Sequence, residues 1–136
     1  MKVKLDEGAW RPTRAHEADA GLDIKSRRCQ NVPAHGSAVF LTGVHVEIPR
    51  GHAGVLISKS GLNVKYGITS TGLIDEGYTG EIVVKLFNNS DEDYMVQNGD
   101  KISQLVIIPI RRPSIEIVDE LGKTDRGHHG FGSSGR

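Results

Sequence analysis

Apolar and polar residues alternate along most of the chain, and this period of two is the pattern of a strand that buries one face. Val44, Val46 and Ile48, for example, alternate with His45 and Glu47. The same pattern predicts strands at residues 3–5, 22–25, 38–41, 44–48, 54–57, 81–87, 93–96, 102–110 and 114–117. We therefore expect an all-β protein.

Turn-forming residues separate these segments. Proline, glycine, asparagine or aspartate occur at residues 33–36, 49–52, 88–91 and 98–100, a spacing that suits a sandwich or a barrel. One helix is predicted, at residues 60–66, with Ser60 as its cap and Gly67 as its end.

Length and charge narrow the classes of function. The chain has 136 residues, enough for one domain with one core. The chain has 17 lysine and arginine residues and 17 aspartate and glutamate residues, so its formal net charge is zero. No net positive charge therefore favours nucleic acid or an anionic membrane as a partner. Cys29 is the only cysteine, no signal-peptide-like stretch opens the sequence, and no apolar run approaches the roughly 18 residues of a membrane helix. We expect a soluble, cytoplasmic protein.

Four polar clusters interrupt the β pattern at strand ends or turns, where functional groups are usually presented. They are residues 20–24 with Asp23, 58–62 with Lys59, Ser60 and Gly61, 72–81 with Asp75 and Tyr78, and 99–105 with Gln104. Asp23 suits a hard cation or its waters, the second cluster suits phosphate oxygens, and Asp75 suits a general base. Taken singly, each cluster also fits a structural role, as a turn carboxylate, a helix cap, a hairpin or a buried amide.

The last fifteen residues, GKTDRGHHGFGSSGR, contain five glycines and have no apolar periodicity. Glycine backbone N–H groups, the hydroxyls of Ser133 and Ser134 and the guanidinium of Arg126 suit phosphate, and Phe131 offers a flat face to a base. The functional interpretation is a lid over a nucleotide. The alternative is a flexible Gly/Ser terminus.

Taken together and in order, these segments closely resemble the trimeric dUTP diphosphatase (dUTPase) family. The matching segments are DAGLDI from Asp19, ISKSGL from Ile57, GLIDEGYTGEI from Gly72, GDKISQLV from Gly99 and RGHHGFGSSG from Arg126. Five segments in the family's order agree by chance far less readily than any one of them. The resemblance implies a jelly-roll-like β-barrel at residues 1–121, assembled as a homotrimer with shared active sites. The tail, residues 122–136, would close over a neighbouring subunit's site.

The resemblance also implies roles for the hairpin residues. Asp75 matches the general base that activates the water attacking the α-phosphorus of dUTP, which releases dUMP and pyrophosphate. Tyr78 matches the aromatic residue that packs under the deoxyribose and leaves no room for a 2′-hydroxyl. The positions that match contacts to the uracil are Thr69, Gly72, Leu73, Ile74 and Val83. Removal of dUTP would keep uracil out of DNA and supply dUMP for thymidylate synthesis.

The remaining matched positions concern the triphosphate. Those expected to contact the phosphates or the attacking water are Lys59, Ser60, Gly61 and Gln104, and those of the closing tail are Arg126, Phe131, Gly132, Ser133 and Ser134. Phe131 would stack on the uracil. Mg²⁺ would arrive with the triphosphate, and Asp23 would reach the water shell of the ion; no dedicated protein cage is expected, and His128 and His129 are expected to be exposed loop residues.

Three residues depart from the commonest family pattern. Lys59 stands where arginine is usual, which keeps the charge but loses the bidentate geometry. Thr69 stands where many relatives have asparagine near the uracil, and His129 replaces a frequent glycine of the tail. The general base, Asp75, is retained, so we expect activity.

Two alternatives remain at this point. A dCTP deaminase shares the trimeric fold, but its glutamate proton shuttle and its arginine would correspond here to Lys85 and Val64, which cannot take over those roles. A nucleotide-responsive regulatory protein would bind dUTP through the same site and signal by the closure of the tail. No inserted domain separates the matched segments.

Overall fold

The computed structural model describes residues 1–130, and it confirms the all-β prediction. Strands and a single short helix make up its regular structure within that range. In chain order the elements are β1 (Lys2–Leu5), β2 (Gly21–Lys25), β3 (Gln30–Val32), β4 (Ser37–Glu47), β5 (His52–Ile57), α1 (Ser60–Tyr66), β6 (Ile68–Ile74), β7 (Glu81–Asn88), β8 (Tyr94–Val96) and β9 (Lys101–Pro109).

Seven strands form one antiparallel sheet in the order β1-β4-β7-β6-β5-β9-β2, and β3 pairs with β8 in a separate ribbon. The large sheet curls into a half-barrel. Its inner face carries the core, because β4 and β7 bury every second residue. Phe40, Val84 and Leu86 are fully buried there. This alternation turns the remaining side chains of β4 and β7 outward.

The helix occupies the predicted residues, but its start differs from the prediction. Gly67 ends α1 in the left-handed conformation, at φ 66°, as expected of a glycine C-cap. Ser60 is the first helical residue and not the cap. Lys59 takes the cap position with an extended backbone, and no side chain caps the helix there.

Two strands were missed and one predicted strand is wrong. The strands β3 and β6 were not predicted, because neither shows a clear alternation of apolar and polar residues. The strand predicted at residues 114–117 is wrong: this segment has no strand, and Ile115 and Ile117 are 93% and 95% exposed. The last strand of the described chain ends at Pro109, so the boundary predicted between residues 121 and 122 stays a prediction.

The longest helix found between residues 1 and 130 has seven residues. This helix lacks the length and the apolar character needed to cross a membrane, and the described residues contain no other helix.

Candidate functional site

Strands β6 and β7 form a fork. They are joined by the hairpin turn at residues 75–80, yet their ladder runs only from the pair Ile68 and Asn88 to the pair Ser70 and Leu86. Beyond that point β6 continues on β5, up to the pair Ile74 and Gly54, while β7 continues on β4. The two strands therefore separate before they reach their connecting turn, and their facing backbone edges border an open space.

An open cavity of about 360 Å³ fills this space. We call it the hairpin pocket; its lining residues are Leu56, Gly72, Leu73, Ile74, Asp75, Tyr78, Glu81, Ile82 and Val83. Six of them, Gly72, Leu73, Ile74, Asp75, Tyr78 and Val83, are residues that the sequence assigned to nucleoside binding or catalysis. The structure thus brings these six together in one place.

Tyr78 is held against the base of the turn. Its hydroxyl donates to the carbonyl oxygen of Glu81 at 3.0 Å, and its backbone N–H donates to the carbonyl of Asp75 at 3.2 Å. A Cβ at Gly80 would collide with the ring and hydroxyl of Tyr78, so only glycine permits this ring position. Asp75 itself is exposed at the mouth of the pocket. A rigid aromatic ring and an accessible carboxylate therefore share the rim.

A second acidic residue fixes the other side of the turn. The Glu76 carboxylate accepts the backbone N–H of Gly51 at 2.8 Å and the guanidinium of Arg112 at 2.7 Å. The Gly51 hydrogen bond and then Arg112 hold the pKa of Glu76 below its ordinary value. The sequence analysis missed this anchor, although a second carboxylate next to Asp75 was a visible signal.

A second cluster of polar side chains lies where the neighbouring strands β2, β9 and β5 pair with one another. Asp23 pairs with Gln104, and Gln104 pairs with Ile57, two residues before Lys59. The Asp23 carboxylate is 2% exposed and accepts Lys59 Nζ at 2.7 Å and Lys101 Nζ at 2.6 Å. Gln104 Nε2 lies 3.5 Å from the same carboxylate. We call these four residues the lysine–carboxylate cluster.

Opposite charges decide the protonation of Asp23. Burial alone would raise the pKa of its carboxyl group, but the hydrogen bonds and charges of Lys101 and Lys59 outweigh burial and lower that pKa. Asp23 is therefore a carboxylate at neutral pH, with an ammonium group on each oxygen. Lys101 was not among the predicted site residues, although it lies within the fourth polar cluster of the sequence, residues 99–105.

Ser60 and Gly61 follow Lys59 at the exposed start of α1. They therefore adjoin the lysine–carboxylate cluster and not the hairpin pocket. Between Asp23 on β2 and the fork on β6 lie β9 and β5, which corresponds to about 14 Å across the sheet. One chain thus presents the two groups of predicted residues as separate patches.

Thr69 lies in neither patch. It belongs to the closed end of the fork, where it pairs with Phe87, and its hydroxyl accepts from Asn89 at 3.3 Å. Arg126 donates to the carbonyl of His129 at 3.1 Å within the exposed C-terminal segment. His128 and His129 are exposed, as predicted. The predicted tail residues Phe131, Gly132, Ser133 and Ser134 lie outside the described residues.

Protein ligands for a metal ion are sparse. Between residues 1 and 130, His, Cys, Asp and Glu side chains form no group of three or more that could hold an ion. Asp23 fits a contact to the water shell of an ion only after one lysine moves, because its carboxylate is 2% exposed beneath the two ammonium groups. Most ligands of an ion bound here would have to come from the substrate or from water.

Comparison with known proteins agrees with this geometry. The sequence model of the dUTPase family matches residues 8–135. The deoxyuridine 5′-triphosphate nucleotidohydrolase of Clostridium acetobutylicum is 43% identical, over 99% of this chain and 96% of its own length. The enzyme of the same name from Paramecium bursaria Chlorella virus 1 is 42% identical, over 97% and 94% of the two chains.

Solved structures show the same relationship. The dUTPase of Staphylococcus bacteriophage 80alpha with dUPNHPP has a TM-score of 0.93 and 33% identity, over 99% of this chain and 98% of its own. It is described among phage dUTPases that control transfer of virulence genes. A mutant dUTPase of phage phi11 of S. aureus, described with a structural Mg(II) ion, has a TM-score of 0.82 and 33% identity, over 90% and 98%. The chain belongs to the dUTPase family of hydrolases.

Proposed function

We propose that this protein hydrolyses dUTP to dUMP and pyrophosphate by in-line attack of water on the α-phosphorus. The observation that carries the proposal is the hairpin pocket, which combines two unpaired strand edges with Tyr78 and Asp75. The phage 80alpha neighbour, which holds the dUTP analogue dUPNHPP, supports the same substrate. The reaction would lower dUTP and supply dUMP for thymidylate synthesis.

Asp75 is the proposed general base. Its carboxylate is exposed on the rim of the pocket, where it can accept a proton from a water molecule and orient that water. The anchors of Glu76 to Gly51 and Arg112 restrict the turn on which Asp75 lies. A restricted turn keeps the carboxylate in one orientation relative to the bound nucleotide.

The fork is the proposed reader of uracil. Leu73 of β6 and Val83 of β7 line the cavity beyond the end of the ladder between these strands, and their backbone groups would pair with the edge of the base. Cytosine would present a donor and an acceptor the wrong way round and leave buried backbone groups unpaired. The methyl group of thymine would have to enter the narrow part of the fork. Tyr78, packed on Gly80, gives the deoxyribose a fixed surface that disfavours a 2′-hydroxyl.

The lysine–carboxylate cluster is the proposed phosphate side of the site. Lys59 and Gln104 would turn toward phosphate oxygens, together with Ser60 and Gly61, while Lys101 keeps the charge of Asp23 compensated. Mg²⁺ bound to the triphosphate supplies neutralising charge and fixes the phosphate geometry. Asp23, released by Lys59, would then accept a hydrogen bond from a water of that ion.

We propose that the complete site needs more than one subunit. The hairpin pocket and the lysine–carboxylate cluster lie on separate parts of one chain, so another copy must bring the second patch to the first. The outer face of β4 and β7 exposes Val39, Leu41, Val83 and Phe87, and Val83 also borders the pocket. A homotrimer that covers this apolar face would account both for the separation of the two patches and for the exposed apolar side chains. Light scattering that gives a monomer at working concentration would contradict it.

The tail is proposed to complete this arrangement. Residues 122–136 would act as a segment distinct from the barrel at residues 1–121, and the Arg126 region would close over the site of a neighbouring subunit. The exposure of residues 122–130 supports this, since residues 1–130 leave that segment uncovered. A chain ending at Gly122 should keep its oligomeric state and lose most of its activity.

The deaminase alternative is disfavoured by position as well as by chemistry. Lys85 lies outside the pocket lining, with its ammonium over the Phe87 ring at 4.9 Å. Val64 is 84% exposed on α1. A nucleotide-responsive regulatory role stays a prediction, supported only by the phage 80alpha neighbour.

The decisive experiment measures product release from dUTP, dCTP, dTTP and UTP with Mg²⁺. We expect pyrophosphate and dUMP from dUTP alone, and a rate lower by roughly 10² to 10⁴ in Asp75→Asn. Asp91→Asn, at an exposed carboxylate paired with His35, is the matched control and should keep the wild-type rate. Ammonia from dCTP would establish the deaminase, and a wild-type rate in Asp75→Asn would overturn the assigned base.

A further inference from the structure

His45 connects the catalytic hairpin to the opposite edge of the sheet, and the mechanism above leaves it unused. Its Nδ1 lies 3.0 Å from the carbonyl oxygen of Thr79, and its Nε2 lies 3.2 Å from Oδ2 of Asp6, just after β1. The side chain is only 18% exposed. The imidazole ring therefore bridges the turn that carries Asp75 and Tyr78 to the end of β1.

Both atoms that face the ring are hydrogen-bond acceptors. A carbonyl oxygen and a carboxylate oxygen can only accept, and a neutral imidazole has a single N–H to donate. The neutral ring can therefore satisfy Thr79 or Asp6, but not both. Only the imidazolium form donates from both nitrogens and makes both contacts at once.

The charges around the ring come from β1 and the residue after it, from β7, and from the loop after β2. Asp6 and Lys4 face it from β1, where Lys4 is the cross-strand partner of His45. Glu81 is the partner on β7, with Arg27 at 4.0 Å from its carboxylate. The Thr79 carbonyl and then Asp6 raise the pKa of His45 above its ordinary value. Burial and the charge of Lys4 lower this pKa, but by less.

Strand β4 contacts the hairpin a second time, at Gly43, two residues before His45. Glu81 accepts the backbone N–H of Gly43 at 2.6 Å through its carboxylate and the hydroxyl of Tyr78 through its carbonyl. Thr79 lies between Tyr78 and Gly80, so the hydrogen bond from His45 restrains the residue next to the aromatic ring. Loss of that bond frees one side of the turn while Glu81 retains the other.

We propose that protonated His45 is a positioning residue, which holds the hairpin at Thr79 in the geometry that accepts the nucleoside. This inference rests on the proposed role of the hairpin pocket. When His45 loses a proton, the carboxylate of Asp6 keeps the remaining N–H because it is the stronger acceptor, and the bond to Thr79 breaks. The restraint is present below the pKa of His45 in the folded protein and is lost as the pH rises through it.

The test follows KM and kcat for dUTP from pH 6 to 9. We expect the KM of the wild-type protein to rise about three- to tenfold across one titration step, with a smaller change in kcat. His45→Gln should lack the step. His35→Asn is the matched control, because His35 also pairs with a carboxylate, Asp91 at 2.7 Å, but makes no contact with the hairpin. It should keep the step.

A second variant, Asp6→Asn, distinguishes positioning from simple stability. The new amide can donate to Nε2, so neutral His45 keeps its Nδ1–H for Thr79. We expect a low KM at every pH and a lower pKa of the His45 ring by NMR. A wild-type step in KM in His45→Gln or Asp6→Asn, or no step in the wild-type protein, would overturn the proposal.

The Asp75→Asn variant separates this inference from the proposed function. If Asp75→Asn is inactive and His45→Gln behaves as wild type at every pH, only the role of His45 fails. If Asp75→Asn keeps full activity, the assigned base fails, whatever the titration of His45 shows.

Discussion

The hairpin pocket and the lysine–carboxylate cluster use different parts of the polypeptide. The pocket is made mainly by backbone: two strands separate, and a glycine lets an aromatic ring pack closely against the turn. The cluster is made by side chains, with one buried carboxylate between two ammonium groups. Backbone groups offer fixed hydrogen-bond patterns, which suit a base. Flexible cationic side chains can move, which suits a phosphate chain that arrives with a metal ion.

This difference predicts that changes at the pocket affect nucleoside recognition, while changes at the cluster affect the triphosphate only. The strongest test is Gly80→Ala, because the added Cβ would displace the Tyr78 ring. We expect kcat/KM for dUTP to fall by roughly 100-fold. Deoxyuridine should inhibit the variant more weakly than the wild-type enzyme. Gly77→Asn is the control, since Gly77 has a positive φ of 87° but open space around its Cβ. An unchanged kcat/KM in Gly80→Ala would show that the ring does not position the sugar.

The next largest effect is expected from the cluster. Lys59→Ala should raise the KM for dUTP by roughly 10- to 100-fold, because a charge-assisted contact to phosphate is lost. Inhibition by deoxyuridine, which has no phosphate, should stay at the wild-type level. Lys65→Ala, on the last turn of the same helix, is the matched control. Equal losses for dUTP and deoxyuridine in Lys59→Ala would remove the distinction between the two patches.

Asp23→Asn tests whether the cluster also contributes to stability. The folded-state pKa of Asp23 is lowered, so its contribution is present above the pKa of the unfolded chain and is lost as the pH falls through the folded value. We expect the variant to be less stable by about 1–3 kcal/mol at pH 7, a value reduced because both lysines reach solvent. Urea unfolding at one fixed protein concentration measures this. The difference in the free energy of unfolding between the variant and the wild-type protein should become smaller toward pH 3. A difference that stays constant with pH would rule out the ion pairs as its cause.

The smallest effect is expected at the outer anchor of the hairpin. Glu76→Gln weakens the bonds to Gly51 and Arg112, and we expect kcat for dUTP to fall about two- to tenfold at pH 7. Glu47→Gln is the control, since Glu47 forms an exposed ion pair with Lys2. A change as large as that in Asp75→Asn would mean that Glu76 is as essential as Asp75 and does more than anchor the turn.

The sequence predicted most of the fold because apolar alternation marks half-buried strands directly. It failed at β6, where Thr69, Ser70 and Thr71 are all polar. Ser70 is nevertheless buried, since its backbone bonds the hydroxyl of Ser58 and its own hydroxyl bonds Ser103. Polar residues that satisfy one another in this way leave no hydrophobic signal.

The predicted strand at residues 114–117 failed for a different reason. Alternation indicates that a segment can bury one face, but it does not identify the surface against which that face packs. Ile115 and Ile117 find no such surface in their own chain within residues 1–130.

The sequence identified the residues of the hairpin pocket through their motif, whereas the contacts around them depend on strand register. Lys101 reaches Asp23 because β9 pairs with β2, and His45 reaches Thr79 because β4 passes beside the turn. Neither neighbour lies near its partner in the sequence. Such contacts become visible only once the strands are paired.

The fork between β6 and β7 has a consequence for evolution. If main-chain atoms read the base, a point mutation cannot exchange the donors and acceptors, because every amino acid except proline carries the same ones. Base preference should therefore tolerate genetic drift at Leu73 and Val83, provided that the side chains keep their size. A switch of preference would require a shift of one strand against the other, through an insertion or a deletion. Lineages should accordingly vary in how they hold phosphate more readily than in which base they accept.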